Sequence, residues 1–139
     1  GRKPKSYYEN IAKQEKELGV LFGAYDESAM AQSVTDQALR AALNDAARKS
    51  FSGCRVYMTP GVQALYQTQA IAARVQAYDD FTERNDPYGE HDFGSFEFCG
   101  ETIFWKIEYY DLDFQMHSLD PSDPNITARV LTIMLGHEY

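Results

Sequence analysis

The sequence has no apolar run that approaches a membrane span, and it lacks the common short motifs of enzyme active sites. A membrane-spanning helix needs about 20 consecutive apolar residues, so we expect a soluble protein without membrane contact. No glycine-rich phosphate loop, GxSxG elbow, HExxH or CxxC occurs in the 139 residues. Enzymes that depend on one of those motifs are therefore not indicated.

Cysteine is scarce, with only Cys54 and Cys99, each in a predicted strand. Without CxxC spacing the pair predicts no zinc site. The first ten residues are basic and polar and lack the apolar centre of a signal peptide. We therefore expect buried or reduced thiols, a cytoplasmic location, no metal and no cofactor.

Basic residues are rare in residues 79–123, where Arg84 and Lys106 face thirteen acids. Of the net charge of −8, this segment carries −11 and the remainder +3. Binding to a nucleic-acid backbone requires lysine and arginine, so we expect no direct nucleic-acid contact through this acidic region. It should attract a protein partner with a basic surface, unless the acids simply keep an aromatic-rich sheet in solution.

The chain divides into an N-terminal helical arm and linker, residues 1–32, and a single α+β domain, residues 33–139. In the arm, Ser6 can cap a short helix that Gly19 ends, and residues 23–32 have the small, mixed composition of a linker.

Residues 33–81 are predicted to form helix, strand and helix. The first helix is capped by Ser33 or Thr35 and ends at Ser52-Gly53. Strict alternation predicts a strand over Cys54–Met58. A second helix covers residues 68–81, with Ile71 and Val75 on its buried face, although Asp79 and Asp80 near its C-terminal end are unfavourable to its dipole. The apolar spacing of the first helix places the following residues on its buried face: Leu39, Ala42, Leu43 and Ala46.

Residues 93–117 are predicted to form three antiparallel strands, 93–99, 102–110 and 114–117, joined by tight turns. Alternation along the middle strand places Ile103, Trp105, Ile107 and Tyr109 on one face. A last helix then starts at Asp123 or Asn125 and continues to the C-terminus. The predicted fold is α+β, with a mostly antiparallel sheet of about four strands and helices packed against it. The predicted order is helix-strand-helix-strand-strand-strand-helix.

Glu90, His91 and Asp92 form the most concentrated group of potentially reactive side chains, between a proline-glycine turn and a strand. Alternation in an extended chain places Glu90 and Asp92 on one face and His91 on the other. The two carboxylates could act as an acid/base pair, or all three residues could fix the turn. A metal site would need further ligands from the following residues: His117, Asp111, Asp113 or Asp120.

Lys106 and His117 complete the catalytic candidates. Lys106 could be a catalytic or anion-holding lysine, or it could pair across strands with an acid such as Glu97. His117 could be an exposed strand histidine without a chemical role. For partner binding, the candidate residues are Asp86, Tyr88, Glu90, Asp92, Glu108, Tyr110, Asp111, Asp113 and Asp120.

Three blocks resemble a bacterial domain-of-unknown-function family, family 3768. They are NDPYGEHDFG at residues 85–94, FWKIEYYD at residues 104–111 and the stretch from 123 to 135, and the resemblance extends over about residues 37–139. It implies a small intracellular bacterial protein of a kind often carried on mobile elements. It implies no activity.

The favoured hypothesis is a small acidic protein-binding module, and the mobile-element context suggests an anti-defence inhibitor that occupies a basic, nucleic-acid-binding surface of a host complex. One alternative is a metal-assisted hydrolase or acid/base enzyme centred on Glu90, His91 and Asp92. A second is a plasmid or transcriptional accessory that contacts DNA through its basic N-terminal arm: Arg2, Lys3, Lys5, Lys13 and Lys16.

Overall fold

The computed structural model describes residues 27–139 of the chain, with side chains described from Ala31 onward. The predicted N-terminal helix, its basic residues and residues 23–26 of the predicted linker lie outside these residues. Residues 27–32 of that linker belong instead to the first helix. The elements are helix α1 (Glu27–Ser50), strand β1 (Cys54–Met58), helix α2 (Pro60–Gln63), helix α3 (Thr68–Gln76), strands β2 (Phe93–Phe98), β3 (Glu101–Tyr110) and β4 (Ala128–Leu135), and a 3-10 turn (Gly136–Glu138).

The four strands form one mixed sheet in the order β1-β4-β3-β2. Strand β3 pairs antiparallel with both β2 and β4, whereas β1 and β4 are parallel. A two-residue turn, Cys99-Gly100, joins β2 to β3, and both residues have positive φ angles, 50° and 82°, as a type I′ hairpin requires. The α+β class is therefore confirmed, with one parallel pair in the sheet.

The predicted C-terminal helix is wrong, because residues 128–135 form the central strand β4. Arg129, Leu131 and Ile133 share the core-facing side of this strand, and Met134 and Leu135 are also buried. A strand covered on both faces becomes a nearly continuous apolar run, which periodicity alone does not distinguish from a buried helix. The predicted strand over residues 114–117 is also wrong, since only an isolated bridge joins Tyr110 to His117.

Helix α1 buries a different face from the predicted one and begins at Glu27, ahead of both predicted caps. Leu39 remains 44% exposed and Ala42 and Ala46 are exposed. The buried stripe has helical spacing but contains polar side chains, so an apolar criterion selects the wrong side. Its members are Ala41, Asn44, Ala47 and Arg48.

The core lies between the sheet and the helices, on the face formed by Ile103, Trp105 and Ile107. The predicted alternation of β1 and β3 is confirmed by their burial patterns. Helix α3 contributes Ile71 and Val75, both fully buried as predicted. It ends at Gln76, short of the predicted residue 81. Asp79 and Asp80 therefore lie beyond the helix and do not oppose its dipole.

Candidate functional site

The turn that contains His91 is held by two acids and an aromatic ring. The backbone at His91 has a φ of 55°, so this residue is not in the extended conformation that the sequence predicted. Its Nδ1 lies 3.0 Å from Asp45, its Nε2 lies 3.6 Å from Asp86, and its ring stacks on Phe81 at 3.9 Å. These contacts fix the turn against α1.

A buried polar network connects α1 to the end of β3. Asn44 is fully buried, and its Nδ2 donates to the Tyr109 hydroxyl at 2.7 Å and to the Glu90 carbonyl at 2.9 Å. Its Oδ1 accepts from Arg129 Nε at 2.8 Å. The Arg129 guanidinium also donates to the carbonyl of Pro121. The side-chain amide of Asn44 therefore connects α1 to the turn at Glu90 and to strands β3 and β4.

Burial changes the acid-base properties of this network. Desolvation, with the negative charge of Glu90, raises the pKa of Tyr109 to about 12. Desolvation also lowers the pKa of Arg129, partly offset by Tyr109. Tyr109 is consequently a neutral hydrogen-bonding group at physiological pH and a poor proton donor.

An open cavity of about 400 Å³ lies between α1 and the edge of β3, beside this network. We call it the α1 cavity. Its volume is within the range of small ligand pockets, roughly 300–1,000 Å³. Its walls carry three carboxylates, one guanidinium, two tyrosines and a histidine: Glu90, Asp92, Glu108, Arg40, Tyr88, Tyr109 and His117, with Ser33, Gln37 and Ile107.

A second cavity of about 470 Å³ lies next to it and is lined by Asp92, Glu108, Lys106 and the C-terminal Tyr139, among others. Lys106 does not form the expected cross-strand pair with an acid such as Glu97. Its Nζ lies instead 2.8 Å from Glu108, on the same face of the same strand. Glu108 and Asp92 line both cavities.

The Lys106–Glu108 contact changes the pKa of both groups. A hydrogen bond from Lys106 lowers the pKa of Glu108, and the same contact raises the pKa of Lys106. Because folding lowers the pKa of Glu108, the ionised form stabilises the folded state above the ordinary glutamate pKa, about 4.3. That contribution is lost as the pH falls from there through the lowered pKa.

We expect Glu108→Gln to lower the free energy of unfolding at pH 7 by less than about 1 kcal/mol, since the pair is about one-third exposed. The difference from the unmodified protein should shrink as the pH falls towards 3. Urea unfolding at several pH values measures this. Glu101→Gln removes the same charge from the start of the same strand and is the control. An equal loss at pH 7 and pH 3 would contradict an ionic origin.

Residues 111–123, which we call the acidic loop, follow the end of β3. Within the loop, Asp111 Oδ1 accepts from the Gln115 backbone at 2.9 Å, and Asp120 Oδ1 accepts from the Ser122 backbone at 3.1 Å. The hydrogen bonds from Ser122 also lower the pKa of Asp120. The ring of Phe114 lies 3.8 Å below the Arg55 guanidinium on β1, which anchors the loop to the sheet.

Three large apolar side chains project from the acidic loop into solvent. Leu112 is 59% exposed, Met116 is 71% exposed and Leu119 is 96% exposed. Asp113, which follows Leu112, and Asp120, which follows Leu119, are exposed as well. Single exposed apolar residues are ordinary, but Leu112, Met116 and Leu119 lie close together in the sequence of one hydrogen-bonded loop that also carries exposed aspartates.

The structure brings only some of the predicted catalytic residues together. Glu90, Asp92 and His117 line the α1 cavity, Lys106 lines the second cavity, and His91 lines neither. Among the described side chains, no group of three or more His, Cys, Asp or Glu residues is arranged to hold a metal ion.

The predicted binding residues are also separated. Asp86 is buried at the His91 turn, and Tyr88 is buried against the α1 cavity. Tyr110 donates to Glu108 at 3.0 Å on the outer face. Asp111, Asp113 and Asp120 belong to the acidic loop. Both cysteines are free thiols, Cys54 half-buried in β1 and Cys99 exposed in the hairpin turn.

Several important residues were missed by the sequence analysis. Arg40 and Asn44 are polar residues of α1, and no local feature marks them as facing the core. The three apolar residues of the acidic loop carried a usable signal, since large apolar side chains between acids in a turn-rich segment are unusual. That signal was obscured by the prediction of a strand there.

The fold and these contacts define a small α+β protein, with a four-stranded mixed sheet, helices on one face and polar groups gathered at the end of strand β3. The chain belongs to the family described as "Protein of unknown function (DUF3768)", whose model matches residues 58–138. The matched part begins at the end of β1, so α1 precedes it. No curated protein and no solved structure matches the chain. None of the helices in residues 27–139 has both the length and the apolar composition to cross a bilayer.

Proposed function

We propose that this protein is a protein-binding module that docks on a basic surface of its partner through the acidic loop. The observation that carries the proposal is the exposure of Leu112, Met116 and Leu119 among aspartates on a loop held by its own hydrogen bonds. Apolar side chains supply most of the binding energy at interfaces, and complementary charge directs the encounter.

The loop is well prepared for binding because little ordering is needed. Its turns are closed by Asp111 and Asp120, and its return to β4 is held by Thr127, which donates to the Asp120 carbonyl at 2.9 Å. A surface ordered before binding loses less conformational entropy on association. The exposed side chains therefore form a ready contact surface.

The partner we propose is a nucleic-acid-binding complex of a bacterial host, which the protein would inhibit as an anti-defence factor in the cytoplasm. Surfaces that bind nucleic acid concentrate lysine and arginine. A chain with a net charge of −8, with the negative charge concentrated in residues 79–123, has the charge to compete for such a surface.

The test is affinity capture from bacterial lysate with the full chain and a variant carrying Leu112→Ser, Met116→Ser and Leu119→Ser. We expect the variant to lose at least 90% of the captured partner, since apolar contacts at the centre of an interface cost on the order of 1–2 kcal/mol each. The partner should bind nucleic acid, and adding the full chain should displace that nucleic acid in a mobility-shift assay.

The charge test is sharpest at Asp113, because Asp111 and Asp120 also close the turns of the loop. Asp113→Lys should weaken capture without altering the fold, whereas Glu97→Lys on the far strand β2 is the matched control. Equal capture by the triple-serine variant and the unmodified chain, or a partner that keeps its nucleic acid, would refute the proposal.

A further inference from the structure

The lining of the α1 cavity carries more carboxylates than basic groups. Glu90, Asp92 and Glu108 line it, with Arg40 as the single guanidinium in the lining. Lys106 neutralises Glu108 in part from the neighbouring cavity. A carboxylate-rich concave site focuses negative potential and favours a cationic occupant.

The Glu90 carboxylate lies on the wall of the α1 cavity and is held there only by long contacts. Its side chain is 18% exposed, yet its two side-chain contacts are long, 3.5 Å to Arg40 Nε and 3.3 Å to the Tyr109 hydroxyl. Arg40 Nε is itself buried without a hydrogen bond. Hydrogen bonds to an ionised carboxylate are usually about 2.7–2.9 Å long, so Glu90 retains acceptor capacity towards the cavity.

Aromatic rings supply the other walls. Tyr88, Tyr109 and His117 line the same space as the carboxylates. A planar guanidinium stacks on aromatic faces and donates two parallel hydrogen bonds to a carboxylate, whereas a lysine ammonium is a compact point charge. A lining of carboxylates and aromatic rings therefore favours arginine.

We propose that the α1 cavity receives an arginine side chain of the partner, with Glu90 as its main carboxylate and the tyrosines as its walls. This inference rests on the proposed function and names the chemistry that the partner must present. His117 belongs both to the cavity lining and to the acidic loop, so one partner surface can contact the loop and fill the cavity together.

The test uses small probes and needs no partner. N-acetyl-arginine amide is titrated into the full chain and followed by two-dimensional NMR, with N-acetyl-citrulline amide as the neutral ligand of matched shape. We expect arginine-dependent shifts confined to residues around the α1 cavity, and binding at least about tenfold weaker for citrulline.

Glu90→Gln and Glu108→Gln should each lower the affinity for the arginine probe, Glu90→Gln by about tenfold. Glu101→Gln should leave that affinity unchanged. The same spectra report whether each variant is folded, and the citrulline comparison needs no variant. Equal binding of the two probes, or shifts outside the cavity, would overturn the inference and leave the docking loop standing. Cavity binding without partner capture would instead remove the proposed function alone.

Discussion

Replacing Asn44 with alanine is expected to lower the free energy of unfolding by about 3 kcal/mol. The substitution removes hydrogen bonds to Tyr109, Glu90 and Arg129 at a fully buried position. A buried donor without a partner loses the hydration that it had in the unfolded chain, and the loss is greater for a charged group such as Arg129. Alanine has the higher helix propensity, so the loss cannot come from α1 itself. Urea unfolding measures it.

Leu39→Ala is the matched control on the same helix. Leu39 is 44% exposed, so we expect a change of at most about 0.5 kcal/mol. Normally a leucine matters more to a helical core than an asparagine does, and here the order should be reversed. A larger loss from Leu39→Ala than from Asn44→Ala would show that α1 packs on the face that the apolar spacing predicted.

Gly94→Ala is expected to lower the free energy of unfolding by about 2 kcal/mol and to change the fluorescence of the single tryptophan. Gly94 lies opposite Trp105 in the β2–β3 pair. An added Cβ would lie 2.5 Å from Trp105 Nε1 and 2.6 Å from the Tyr78 ring. Trp105 is fully buried, so neither ring can yield without moving the core that surrounds it.

Ser95→Ala is the control for that substitution. Ser95 is the next residue of β2 and is exposed. Its substitution by alanine therefore leaves the close contact between Gly94 and Trp105 unchanged. We expect its stability and emission spectrum to match those of the unmodified protein. If Gly94→Ala were as stable as Ser95→Ala, the close approach of Trp105 to the β2 backbone would be incorrect.

The candidate site was predictable only where it depends on neighbouring residues. Glu90 and Asp92 were expected to share a face, and both line the α1 cavity. The reason differed from the expected one, because His91 is turned away by a left-handed backbone and held by Asp45. Asn44 is 46 residues away from Glu90 in sequence. No local pattern connects residues so far apart.

Local sequence patterns were enough to predict the α+β class, the alternation of β1 and β3, the tight turn between β2 and β3, and the concentration of acids in residues 79–123. Each depends on a residue and its near neighbours, through side-chain alternation, turn chemistry or charge. That residues 128–135 form a strand follows instead from their pairing with β1 and β3, and both of these strands are distant in sequence. The same applies to α1, since a buried Asn44 is stable only where Tyr109, Glu90 and Arg129 meet it.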